Sequence, residues 1–158
     1  ICEHEKNGAM GMIVNKKLDT PELSKIIDKL FKVDKYFNNF KNNTFFGGPV
    51  LLEKGIILHH SDYSSSKSIS ISKSISITSD EDVLGDFKRD GGVPFKLMLG
   101  HAGWSSGQLE REIENGDWLI QNTTSDFIFN LPPNQMWENA AKAIGLDIKS
   151  NLGKPGQA

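Results

Sequence analysis

Gly100-His101-Ala102-Gly103-Trp104-Ser105-Ser106-Gly107-Gln108-Leu109-Glu110 gathers three glycines, an imidazole, an indole and two hydroxyls into eleven residues. Bare glycine backbone lets N–H groups come close to a ligand, and the first turn of a helix leaves its N–H groups unbonded. An apolar strand over residues 95–99 is expected to enter a glycine-rich turn and pass into an acidic helix. Ser105 would cap that helix and leave the N–H groups of residues 106–108 facing the loop mouth, where a carboxylate or phosphate could sit. His101, at the strand's carboxyl end, could serve as an acid or base near neutral pH. A structural alternative is that Gly100 and Gly103 permit close backbone packing, that Trp104 plugs the core and that His101 is a hydrogen-bonded structural histidine.

Other chemistries find less support. No Gly-Lys-Ser/Thr follows the glycines at P-loop spacing, and the dinucleotide pattern G-x-G-x-x-G is absent. Ser105 or Ser106 with His101 does not satisfy the nucleophile elbow G-x-S-x-G. Glu3-His4 and His59-His60 are adjacent pairs without H-x-x-x-H or C-x-x-C spacing, so no metal or cofactor is expected. Neighbouring strand residues face opposite sides, which keeps His59 and His60 from sharing an ion. Glu110 and Glu114 stand one turn apart on an outward helix face, as solvated acids do. The lone Cys2 follows an apolar residue, reads as an inert thiol and leaves no intramolecular disulfide, which suits a reducing cytoplasm.

These residues need elements to position them. A hairpin is expected from residues 1–4 and 11–15 around an Asn7-Gly8 turn. Thr20-Pro21 opens a helix with Leu23, Ile26, Ile27, Leu30 and Phe31 inward. Residues 38–43 look like a polar loop. A strand broken by Gly47 and Gly48 follows, then a buried strand over 55–60. Isoleucine and serine alternate over 67–77, as in a half-buried strand or hairpin with wet serines and a slip near Lys73. Ser79 caps a helix reaching Phe87. Short strands are expected at 117–120 and 127–129. Pro132-Pro133 leads into a last helix with Met136, Trp137, Ala140, Ala141 and Ile144 on one face, ended by Gly145.

The chain has 158 residues and a formal net charge of −2. That fits one domain over 1–158, with the beginning of the first strand missing and a flexible tail at 151–158. It argues against a charge-driven grip on nucleic acid. Lysines interleave with Phe31, Tyr36, Phe37 and Phe40, but aromatics at helical spacing read as core. No apolar run is long enough to span a bilayer. Together the elements predict an α+β fold: one compact domain with a mixed, mostly antiparallel sheet and about four packed helices.

Cys2-Glu3-His4 with residues 8–16, Phe46-Gly47-Gly48-Pro49-Val50, Gly55, Leu58-His59, the Gly100–Glu110 stretch, Trp118 and the Trp137–Gly145 helix together resemble the bacterial YqgE/AlgH family. The resemblance covers nearly the whole chain. It implies a compact α+β domain and a cytoplasmic regulator of transcription with no settled biochemical activity and no catalytic assignment. The residues it carries over are Glu3, His4, Asn15, Gly47, Gly48, Gly100, Gly103, Trp104, Gln108 and Glu110. His101 stands where an aromatic is common in that family, and the serine-isoleucine repeat is idiosyncratic. A DNA-reading regulator should carry a basic recognition helix, whereas the helix after Ser105 is acidic. The expected site is therefore a cleft formed by Glu3, His4, Asn15, Gly47, Gly48, Gly100, His101, Gly103, Trp104, Ser105, Gln108 and Glu110. It would bind a small anionic ligand or a protein partner. The alternatives are a hydrolytic enzyme using the same cleft and a direct DNA-binding protein.

Overall fold

A computed structural model describes residues 1–18, 20, 25, 37–63, 65–80, 86–87 and 92–146. The fold is α+β. Its strands, in chain order, are β1 (Glu3–Glu5), β2 (Gly8–Gly11), β3 (Thr44–Phe46), β4 (Val50–His60), β5 (Ile69–Ser70), β6 (Ile75–Thr78) and β7 (Phe95–Ser105). The helices among the described residues are α1 (Phe37–Asn42), α2 (Gln108–Glu114), α3 (Ser125–Phe129) and α4 (Pro133–Ala143). None is long and apolar enough to cross a membrane.

β7 organises the sheet, whose main path runs β1-β2-β7-β4-β6-β5. Its first half lies between β4, antiparallel, and β3, the one parallel partner among the described residues. Its second half pairs with β2, antiparallel, from Gly11↔Ala102 to Gly8↔Ser105. Alternation along β7 feeds two cores, because successive side chains face opposite sides. Leu97 and Leu99 join Phe40, Ile57, Phe87 and Phe95 on one face. Met98 joins Phe45, Leu58, Ile77, Ile128 and Met136 on the other.

Several sequence expectations change. The expected glycine-rich turn is strand: β7 continues through Gly100 and Gly103 to Ser105, because β2 supplies a partner for its second half. The first hairpin exists, but Glu5 pairs with Gly8, so Lys6-Asn7 is its turn and β2 is Gly8–Gly11 rather than 11–15. Residues 38–43 are not a loop. They fall largely in α1, which buries Phe40 and is tied off by a Thr44 hydroxyl bond to the Phe40 carbonyl. The serine-isoleucine segment is a hairpin, its slip being the turn that brings the Ile71 and Ser72 N–H groups to Ile75 O. Its alternation fails at both ends: Ile69 is exposed, and Ser76 is buried and hydrogen-bonded to Ser61.

Residues 117–120 form no strand, and 127–129 belong to helix α3, not to a strand. Thr124 caps that helix by accepting the Phe127 N–H, a start signal that outweighs the β propensity of Phe-Ile-Phe. In α4, Met136 and Ala141 are buried, whereas Trp137 faces solvent. Gly145 closes α4 at φ 81°. Of the expected helices at 20–31 and 79–87, most residues lie outside those described.

Candidate functional site

The Gly47-Gly48 turn after β3 crosses β7 at Gly100 and His101 with backbone against backbone. A Cβ on Gly47 would lie 2.2 Å from Gly100 O, and one on Gly48 would lie 2.2 Å from the His101 carbonyl carbon. One on Gly100, whose φ is +70°, would lie 2.4 Å from Gly48 O. No L side chain fits at those separations, so these glycines hold two strands in contact. Their polar groups are also engaged: the Gly47 N–H donates to Leu99 O, and Gly47 O accepts from the Ile13 N–H. Asn15 is exposed on the return between Ile13 and Lys16, beside this crossing. His101 is half-buried and pairs with Val50 of β4. Gly103 is different, since a Cβ there would meet nothing within 4 Å.

Beyond the crossing, the end of β7 and α2 share a polar network. The Ser105 N–H and hydroxyl both donate to Gln108 Oε1, at 3.0 and 3.1 Å. Gln108 Nε2 donates to Glu112 Oε1 at 2.9 Å. The Trp104 and Trp118 indole N–H groups both donate to Glu112 Oε2, at 2.8 and 2.7 Å. The two indoles meet edge to face, 5.9 Å between centroids. These donors, Trp118 first, then Gln108 and Trp104, hold the Glu112 carboxyl below the usual carboxylate range.

The β1–β2 hairpin closes the other side. His4 Nε2 lies 2.7 Å from Glu110 Oε1, and the Ser106 hydroxyl donates to Lys6 O at 2.6 Å. The Glu110 carboxyl is lowered by its own backbone N–H and then by His4. Glu3, on the same hairpin, is exposed.

Nine of the twelve expected site residues therefore fall into three neighbouring groups along β7: the crossing with Gly47, Gly48, Gly100 and His101; the network with Trp104, Ser105 and Gln108; and the His4–Glu110 pair. Ser105 does not cap α2. The cap is Gly107, left-handed at φ 69° and without a side-chain bond, and the helix has seven residues. The first-turn N–H groups therefore begin at Gln108 rather than at Ser106. The Ser105 and Ser106 hydroxyls face Gln108 and Lys6, so neither is set against a histidine as a nucleophile would be. Among the described residues no cluster of three His, Cys, Asp or Glu could hold a metal ion.

Two residues central to the network were not among those expected. Glu112 reads as a solvated acid in sequence. Its signal is the Gln108-x-x-x-Glu112 spacing, which puts both side chains on one helix face. Trp118 looked like a strand residue. It instead follows α2 and begins an exposed apolar stretch in which Leu119 is 65% and Ile120 70% exposed.

A family model described as AlgH-like matches residues 1–149. A UPF0301 protein of Proteus mirabilis is 37% identical over 163 residues, covering 100% of this chain and 87% of the relative. One from Ralstonia pickettii is 33% identical over 159 residues, with 100% and 83% covered. The solution structure of the AlgH protein from Pseudomonas aeruginosa superposes with a TM-score of 0.76 at 27% identity, covering 99% of this chain and 82% of that one. A Corynebacterium diphtheriae crystal structure shares the fold at TM-score 0.63 and 19% identity, with 89% and 73% covered.

Proposed function

The chain belongs to the AlgH-like, or YqgE/AlgH, family, and on that premise we propose that it acts in the cytoplasm by binding a protein partner on the surface where β1–β2, the end of β7 and α2 meet. Regulation of transcription then passes through that contact and not through its own grip on DNA. The observation that carries the reading is the exposed Trp118-Leu119-Ile120 stretch fastened to α2 through Glu112. Contiguous exposed apolar side chains with a polar rim are the signature of a protein contact.

The electrostatics favour that choice over a small anion. Glu3, Glu5, Glu110, Glu114 and Asp117 are exposed on the hairpin and on or just after α2, against Lys6 and Arg111. Such a surface repels phosphate and favours a partner with an apolar knob and a basic border.

The test is affinity capture from a lysate of the source bacterium with three baits: the unmodified chain, Trp118→Ser and a Lys54→Ala control on exposed β4. A partner held by the first and third baits and lost by the second is expected, followed by calorimetry on the purified pair. Retention by Trp118→Ser removes the assignment. Saturable, steeply salt-dependent binding to a short DNA duplex would replace it with direct DNA recognition. Turnover of model esters lost with Ser105→Ala or Ser106→Ala would replace it with hydrolysis.

A further inference from the structure

A second site lies at the opposite end of β7, independent of the surface just described. A cavity of about 200 Å³ opens where α1 and β3 meet the segment linking α3 to α4. Phe45, Phe129 and Leu131 give it apolar walls on the β7 face that carries Lys96 and Met98, and Lys17, Lys96, Asn42 and Asn130 supply polar groups. No carboxylate lines it.

Lys96 is the unusual member. It is only 4% exposed, on the β7 face that carries Met98. Its ammonium donates to Val14 O at 2.8 Å, reaches Met136 Sδ at 3.8 Å and stands 4.3 Å from the Phe45 ring centroid. One oxygen acceptor thus serves an ammonium with three N–H donors, and none of these three partners carries a negative charge. Among the described residues no acid pairs with it. Buried charges are ordinarily paired, since an isolated ammonium away from water is costly. Burial accordingly pushes the Lys96 pKa down to about 8, which still leaves the cation dominant at neutral pH.

We infer that this cavity binds a small organic carboxylate, the Lys96 ammonium supplying the countercharge and the phenylalanines enclosing a short apolar body. Lys17 adds a second positive charge at the lining and Asn42 an amide, while Asn130 Nδ2 donates to Asp126 Oδ1 at 2.8 Å. The volume limits the ligand to about the size of a single ring with its carboxyl group, given that about 150 Å³ accommodates benzene.

The probes are sodium acetate, propionate and benzoate, with sodium chloride and inorganic phosphate as controls. They are applied to the unmodified chain and to Lys96→Met, which keeps the length and apolar stem. One carboxylate should raise the Tm by several degrees in a saturable way, and chloride should not. The effect should vanish in Lys96→Met and weaken as the pH passes 8 and the ammonium loses its proton. An equal rise in both proteins, or no rise with any carboxylate, overturns the assignment. If Lys96→Met does not fold, the lysine side-chain NMR spectrum of the unmodified chain decides. The carboxylate must move the Lys96 resonance and raise its titration midpoint, and an unmoved resonance overturns the assignment.

Discussion

At the scale of single residues, the same letter carries different weight at different places in the central motif. Gly100 and Gly103 look equivalent in sequence, three residues apart in a glycine-rich run. Gly100 has a left-handed φ and touches Gly48 O, whereas Gly103 has open space above it. Gly100→Ala should therefore lower stability by at least about 2 kcal/mol, through strain and overlap together. Gly103→Ala should be neutral or stabilising by up to about 1 kcal/mol, because alanine restricts the unfolded chain more than glycine does. Urea unfolding midpoints of the two variants check this, and equal losses would show that the crossing is not what fixes Gly100. Close packing was one of the two roles legible for these glycines from sequence, but which glycine does the packing was not. That choice depends on the Gly47-Gly48 turn, more than fifty residues away along the chain. The His4–Glu110 pair was hidden for the same reason: its members are 106 positions apart. Both were expected at the site, yet no local spacing shows that they touch.

Among the elements, short pieces held by tertiary contacts were the hardest to read. Helix α2 has seven residues and a glycine cap, too little to stand alone in water. What fastens the following stretch to it is the Glu112 carboxylate, which receives both indole N–H groups. The segment 117–120 has the composition of a strand, but it finds no strand partner and is tied down by a side chain instead. Local propensity cannot reveal that, whereas the apolar runs in the second half of β4 and the first half of β7 were plain because burial leaves a continuous signal there. The Glu112 tie has a pH signature. Its carboxyl is lowered in the folded chain, so the stabilisation is present above the ordinary glutamate value of about 4.3 and is lost as pH falls through the lowered folded value. Protonation removes the charge that holds Trp118. Acidification through and below the ordinary glutamate range should therefore increase acrylamide quenching of the tryptophans while far-UV circular dichroism stays constant. In Glu112→Gln the quenching should already be high at pH 7 and should not change on acidification. A Glu112→Gln chain that keeps the full acid transition would assign it to another carboxylate.

For the molecule as a whole, β7 divides labour along its length. Its first half is clamped between β3 and β4 and sends side chains into both cores, with Leu97 and Met98 fully buried. Beyond His101 the strand leaves β3 and β4 behind, pairs with the small β1–β2 hairpin and carries the polar network on its surface. The overall α+β pattern was legible because the core strands announce themselves. The exact extent of β7 was not, since its glycines look like a turn until β2 is seen to pair with them. A strand built this way should be stiff where it is buried and looser where it carries the proposed contact, because opening free energy follows local burial. Native-state hydrogen exchange should find the Leu97 amide, bonded to Asn43 O at 2.8 Å, opening only with global unfolding. Amides of residues 102–105 should exchange through smaller openings that release the β1–β2 hairpin, with lower free energy and a weaker denaturant dependence. Glu110→Gln, by weakening the His4 contact that ties the hairpin to α2, should speed exchange in residues 102–105 and leave Leu97 unchanged. If both halves of β7 exchange at the same free energy and respond alike to Glu110→Gln, the hairpin and the sheet core form one cooperative unit. A partner binding at the hairpin end would then have to be felt in the core as well, where the Lys96 cavity lies.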